Sequence, residues 1–154
     1  MGVEIERKFL VNSEQWKNGV ERFVEIKQGY LSTAPERTVR VRTKGEKGFL
    51  TIKGKTQNLS RAEFEYEVPL EEALGLLKLC EGHPIEKVRH EVRVGGKLWE
   101  VDVFEGENAG LVLAEIELES EVESFEMPVW AGEEVSADLR YFNSYLSQHP
   151  FKGW

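Results

Sequence analysis

Apolar and charged residues alternate at a spacing of two along most of this chain, and the polar phase is almost entirely ionised. In GVEIERKFLV, residues 2–11, Glu4, Glu6 and Lys8 share one phase while Val3, Ile5, Phe9 and Val11 share the other. A period of two places successive side chains on opposite faces of an extended strand, so the three charges lie on one face. The pattern recurs between Gly, Pro and Asn breaks, and it predicts strands over 3–11, 23–32, 37–44, 48–55, 61–68, 86–95, 97–105 and 110–120. GEKG at 45–48 and VGGKL at 94–98 are the expected hairpin connections. Three segments carry helical signals instead: SEQWKN at 13–18, PLEEALGLLKLCEG at 69–82 and SADLRYFNSYLSQHP at 136–150. The last is expected to cover one end of the strands with Leu139, Phe142 and Leu146 as its apolar stripe, and 120–135 is expected to be an acidic surface connection with two aromatics turned inward. The fold class is therefore mainly β within α+β.

The charges keep phase through almost every strand. Arg40 and Arg42 oppose Val39 and Val41, and Lys53 and Lys55 oppose Leu50 and Ile52. Arg61, Glu63, Glu65 and Glu67 oppose Phe64, Tyr66 and Val68; Lys87, Arg89, Glu91 and Arg93 oppose Val88, Val92 and Val94. Glu100 and Asp102 oppose Val101 and Val103, and Glu115, Glu117 and Glu119 oppose Ile116 and Leu118. Two arrangements accommodate this. Half-buried antiparallel strands ordinarily turn their polar face to water. Ordinary solvent faces mix Thr, Ser, Gln and Lys, however, whereas these are segregated by sign, and like charges along one face repel unless a counter-charge offsets them. Eight strands can also close into a barrel whose interior holds side chains or one small ligand. Carboxylates in one sector and Arg or Lys in another suit a polyphosphate with a bridging divalent cation.

The bulk properties bound the partners. A chain of 154 residues fits a single domain, 1–154. No apolar run approaches the roughly 20 residues of a membrane helix, and the charged amino terminus lacks a signal core. Cys80 is the only cysteine, which excludes an internal disulfide and a Cys-based zinc site and gives a cytoplasmic setting as the expectation. A net charge of −8 repels nucleic acid and anionic membranes, so an anionic ligand needs a local basic cluster. GFLTIKGKT at 48–56 does not fit a phosphate loop, because its glycine spacing is wrong and no helix follows. The three histidines are dispersed; His90 lies on an apolar phase and is expected to pack rather than to bind a ligand.

EIERKFL at 4–10 resembles the ExExK signature of the CYTH superfamily, the triphosphate tunnel metalloenzymes. The resemblance continues in order through QGYL at 28–31, RVR at 40–42, LTIKG at 50–54, RAEFEYEV at 61–68, KVRH at 87–90, WEVDVFEG at 99–106 and LAEIELE at 113–119. It implies an eight-stranded antiparallel tunnel with the charged faces inward, a few helices outside and a C-terminal helix near one mouth. It implies that Glu4, Glu6 and Glu117 hold Mg²⁺ or Mn²⁺, and that Lys8, Arg40, Arg42, Lys53, Arg61, Lys87 and Arg89 grip a triphosphate. Glu63, Glu65, Asp102 and Glu115 would complete the acidic half and position water or a second metal, with Lys8 and Tyr30 near the reacting phosphoryl group. Glu67, Glu91, Arg93, Glu119 and Lys55, nearer the strand ends, are expected to be solvated. The activity so implied is metal-dependent hydrolysis of a small triphosphate, with inorganic tripolyphosphate as the substrate, by a monomer or homodimer with no nucleic-acid or membrane partner. A class IV adenylate cyclase, a thiamine or nucleoside triphosphatase, and a binding module without turnover are the alternatives.

Overall fold

The computed structural model describes residues 2–154. The strands are β1 (Gly2–Val11), β2 (Val20–Ser32), β3 (Arg37–Lys44), β4 (Lys47–Gly54), β5 (Ser60–Val68), β6 (Glu81–Val94), β7 (Lys97–Phe104), β8 (Val112–Glu117) and β9 (Ala131–Glu134). They form one antiparallel sheet in the order β5-β4-β3-β2-β6-β7-β8-β1-β9, and β5 also pairs with β1. That pairing, through Gly2–Ile5 against Ser60–Glu63, closes eight strands into a barrel. The short β9 pairs with the later part of β1 and was not expected from the sequence.

The barrel is turned inside out. Phe9, Trp99, Val101, Ala114 and Ile116, on the apolar phases of β1, β7 and β8, pack outside the wall with Trp16, Leu118 and Trp130 from the flanking segments. Trp99 is the centre of this outer core, with Phe9, Phe125 and Trp130 all within 5.7 Å of its ring. Burying each such side chain contributes roughly 1.5–3 kcal/mol. The segment 120–135 thus anchors Phe125 and Trp130 on the outer wall, as expected. His90 also packs outside, 4.9 Å from the Trp16 ring.

The second and third helical segments are shorter than the sequence signals predict. Residues 13–18 yield a 3-10 turn over Gln15–Gly19, and the second helix is α1 (Leu70–Leu77). The stretch from Glu81 joins β6 because its backbone pairs with β2, Tyr30 opposite Glu81. Cys80 is consequently only half-buried, between α1 and β6. The C-terminal segment breaks into a 3-10 turn at Leu139–Tyr141, capped by the Asp138 carboxylate accepting from Arg140 N, and α2 (Asn143–Gln148). Phe142 between them is extended. The expected apolar stripe is accordingly divided: Leu139 is exposed, Phe142 faces the tunnel and Leu146 is buried.

One end of the tunnel is plugged. Following the inward phase along each strand, Lys8 gives way to Leu10, Lys87 to Ile85, Asp102 to Phe104 and Glu115 to Leu113. Ile85, Phe104 and Leu113 form an apolar cluster with Leu111, Val135 and Leu146, against which Leu10, Tyr141 and Phe151 pack. Gly82, at φ +74°, lets α2 approach: a Cβ there would collide with the Ser147 carbonyl oxygen.

Candidate active site

The strand order gathers charges that are scattered in sequence into two arcs. β4, β3, β2 and β6 are consecutive and present Lys53, Arg40, Arg42, Lys87 and Arg89; β7, β8, β1 and β5 are consecutive and present Glu100, Asp102, Glu115, Glu117, Glu4, Glu6, Glu63 and Glu65. Lys8 and Arg61 are the cations standing within the acidic arc. A cavity of about 230 Å³ runs between the arcs, lined by every residue singled out for the site except Asp102. Side chains become more exposed away from the apolar plug: Lys87 is 2% and Lys8 7% exposed, whereas Glu100 is 28% and Glu65 36%. The tunnel therefore has a dry floor and a wet mouth.

Near the floor, Asp102 sits behind the cavity wall and binds the basic arc. Its carboxylate accepts from Arg89 Nε and Nη2 at 2.8 and 2.9 Å and pairs with Lys87 Nζ at 2.9 Å. Burial alone would raise its pKa, but Arg89 and Lys87 outweigh this and hold it well below the usual carboxylate range. Burial pushes the Lys87 ammonium down to about 8 despite Asp102. Arg89 also meets Glu115 at 3.1 Å and Glu100 at 3.4 Å. Glu115 pairs with Lys8 at 3.5 Å, and Lys8 Nζ donates to the Tyr141 carbonyl at 2.9 Å. Burial raises the Tyr30 hydroxyl above its ordinary value, so it stays a neutral donor.

Toward the mouth, Arg40 and Arg42 converge on Glu65 Oε2 at 3.5 and 3.4 Å, and the Thr51 hydroxyl donates to the same oxygen at 2.9 Å. Burial and the neighbouring Arg40 and Arg89 hold the Arg42 guanidinium down at about 10. Lys53 Nζ donates to both oxygens of Glu4 at 3.0 and 2.9 Å and lies 3.7 Å from Glu63, and Arg61 Nε donates to Glu4 at 3.2 Å. Burial opposes ionisation of Glu4, but these cations prevail and hold it at about 2.

Glu6 and Glu117 are directly opposite in the β1–β8 register, with Glu4 one step along the same face. Burial, then Glu115 and Glu4, push the Glu6 carboxyl up to about 8, and partial burial with Glu4, Glu63 and Glu100 raises Glu117. Carboxylates crowded together without enough counter-charge suit a hard divalent cation, which takes oxygen ligands. Among the described residues no three acidic, His or Cys side chains already form a coordination cluster. Glu4 is instead occupied by Lys53 and Arg61, so these three carboxylates share a wall without being drawn to a point.

The cavity also contains residues that the sequence did not single out as site residues: Lys44, Glu100, Thr38, and Ser136, Phe142, Asn143 and Ser144 of the C-terminal segment. The signal for Lys44 and Glu100 was phase, since each lies two residues from a chosen neighbour. Of the C-terminal group only Phe142 carries a periodic signal, as part of the apolar stripe, and nothing in that signal points it into the tunnel. Glu67, Arg93, Glu119 and Lys55 are exposed and Glu91 half-buried, all outside the cavity.

The CYTH domain family matches residues 2–146. The chain is similar to an inorganic triphosphatase of Acetivibrio thermocellus, 46% identical over 155 residues that span 100% of this chain and 99% of that protein. It is 38% identical over 148 residues to an inorganic triphosphatase of Nitrosomonas europaea, spanning 94% of this chain and 96% of that one. A solved crystal structure of an inorganic triphosphatase superposes with a TM-score of 0.69 at 36% identity, over 93% of this chain and 96% of that chain.

Proposed function

The chain belongs to the CYTH domain family, and from that membership we propose that it hydrolyses inorganic tripolyphosphate to pyrophosphate and phosphate with Mg²⁺ or Mn²⁺. The observation that carries this is the opposed strain of the two arcs. Burial disfavours the charged forms of Arg42 and Lys87 on one side and of Glu6 on the other. A phosphate chain carrying a divalent cation relieves both at once. The curated relatives named above, both inorganic triphosphatases, support the same substrate.

In this scheme Glu4, Glu6 and Glu117 hold the metal, which when bound supplies positive charge to the phosphate oxygens. Lys53 exchanges Glu4 for phosphate oxygens, and Arg40, Arg42 and Arg61 spread the substrate charge at the mouth. Lys87 and Arg89 do so at the floor, where Asp102 fixes them in place. Lys8 and the neutral Tyr30 hydroxyl donate to the reacting phosphoryl group. Glu115, paired with Lys8, orients the attacking water, and Glu63 and Glu65, on the wetter side, position water or a second metal at the mouth. The water oxygen bonds to a terminal phosphorus, the bond to the bridging oxygen breaks, and pyrophosphate leaves with the electron pair while a carboxylate takes the water proton. Positioning and charge compensation are the main needs of phosphoryl transfer. A cytoplasmic setting accords with the single free cysteine, and no helix among the described residues is long and apolar enough to cross a membrane.

Phosphate release measured across substrates tests this. Tripolyphosphate should have the highest kcat/KM, ATP should be poorer and yield ADP, and pyrophosphate should be poor because it cannot span both ends of the site. Cyclic AMP as the main product from ATP would replace hydrolysis with cyclisation, and tight binding without phosphate release would replace it with a sensor.

A further inference from the structure

Asn143, the first residue of α2, places its carboxamide among the charges of the tunnel. Its Oδ1 accepts from Lys87 Nζ at 3.0 Å and from Gln28 Nε2 at 3.1 Å. An ammonium group has donors and no acceptor, so the carboxamide oxygen, not the nitrogen, must face Lys87. Gln28 completes the arrangement from a fully buried position, its own Oε1 left without a partner among the described residues. Both lone pairs of Asn143 Oδ1 are thereby engaged. Asn143 Nδ2 forms no hydrogen bond among the described residues, and the side chain lines the cavity.

We propose that Asn143 is a substrate-binding residue: Nδ2 donates to the phosphoryl group that reaches deepest into the tunnel, while Oδ1 holds Lys87 against that same group. This rests on the triphosphate reading above and extends it to a residue outside the strands. Lys87 supplies charge without direction, whereas a carboxamide whose oxygen is pinned offers donors in a fixed direction, which only an acceptor such as a phosphate oxygen satisfies. The segment carrying Asn143 is secured on both sides. Lys8 Nζ donates to the Tyr141 carbonyl, and Leu146 is buried in the apolar plug. The C-terminal segment is then part of the phosphate grip and not only its cover.

The test is the Kd of inorganic tripolyphosphate, by calorimetry in the cold with Mg²⁺, for the wild-type chain and for Asn143→Asp and Asn143→Ala, with phosphate release followed in parallel. Asn143→Asp keeps an acceptor for Lys87 and Gln28 but removes the N–H donors, so its Tm should equal or exceed that of the wild type. Its Kd should rise at least about tenfold, a change worth roughly one decade of affinity. Asn143→Ala removes the same donors without adding charge, and its Kd should rise by a similar factor. A Kd within twofold of wild type in either variant would overturn the assignment, in Asn143→Ala by showing that the rise in Asn143→Asp is only a field effect. Binding without phosphate release by the wild type would sink the hydrolase reading alone, because the Kd comparison still decides Asn143. No binding by the wild type would overturn both.

Discussion

Arg40 and Arg93 illustrate how position along a strand decides what a charge does. Both lie on the polar phase of their strands, yet the Arg40 side chain is 12% exposed between Glu65 and Thr51, and Arg93 is 50% exposed beside Glu21. Arg40→Ala should weaken tripolyphosphate binding by about 1.5–3 kcal/mol, the scale of one charge-assisted hydrogen bond. Arg93→Ala should leave Kd nearly unchanged, and equal effects would show that both side chains are merely solvated. Lys87 carries a prediction in pH. Its depressed value of about 8 means that a rise in pH through that region discharges an ammonium at the tunnel floor, so kcat/KM for the free enzyme should fall on the alkaline side near pH 8. Lys87→Arg should move that limb upward, and an unmoved limb would assign it to another group. For stability the sign is opposite. The fold sheds this proton more readily than the unfolded chain, so this group's contribution grows as pH rises from about 8 toward the ordinary lysine value and is lost as pH falls through 8.

At the scale of elements, the C-terminal segment differs most from its sequence signals. One continuous amphipathic helix covering one end of the strands was the expectation. The observed break places Leu146 and Val135 in one apolar plug with Ile85, Phe104 and Leu113, so removing the segment exposes that cluster. Stability and turnover should therefore fall together. Leu146→Ala should cost about 2–5 kcal/mol, read from denaturant unfolding, and a loss below 1 kcal/mol would show that α2 is only loosely seated. Gly82→Ala should also destabilise, because the new Cβ meets a backbone oxygen in a left-handed conformation; an unchanged Tm would mean that α2 can shift without cost. The break itself was hard to see in SADLRYFNSYLSQHP. Its periodicity supports a helix, but Asp138 caps a single turn and Phe142 leaves the helical conformation to reach the tunnel.

For the whole molecule, the net charge of −8 says little about the ligand, because the field that matters is divided inside the barrel. The cavity lining holds eight Lys or Arg and seven Glu residues, close to neutral before any ligand arrives. A triphosphate therefore needs positive charge beyond what the lining offers. EDTA should abolish phosphate release and Mg²⁺ or Mn²⁺ should restore it, whereas undiminished turnover in EDTA would remove the metal from the scheme. Glu6→Gln should come close to the same loss, because an amide cannot ionise to hold the cation, with the fold kept, since Glu6 makes no ion pair within 4.0 Å among the described residues.

The sequence by itself determined eight of the nine strands, their phases and the separation of signs, because a period of two needs nothing beyond neighbouring residues to be read. The in-phase series from Glu4 to Glu117 located most of the cavity lining before any fold was known. Whether those faces looked in or out was not local information. Burying the apolar faces against Trp16, Phe125 and Trp130 outside the wall turned the charges inward, and the β1–β5 pairing closed them around a space. Tertiary structure alone set the strand order that makes each sign contiguous. It also set the withdrawal of Asp102 behind the wall, the occupation of Glu4 by Lys53 and Arg61, and the arrival of Asn143 beside Lys87. Each of these depends on residues brought together across dozens of positions, where the geometry of the closed barrel, not sequence spacing, decides which charge meets which.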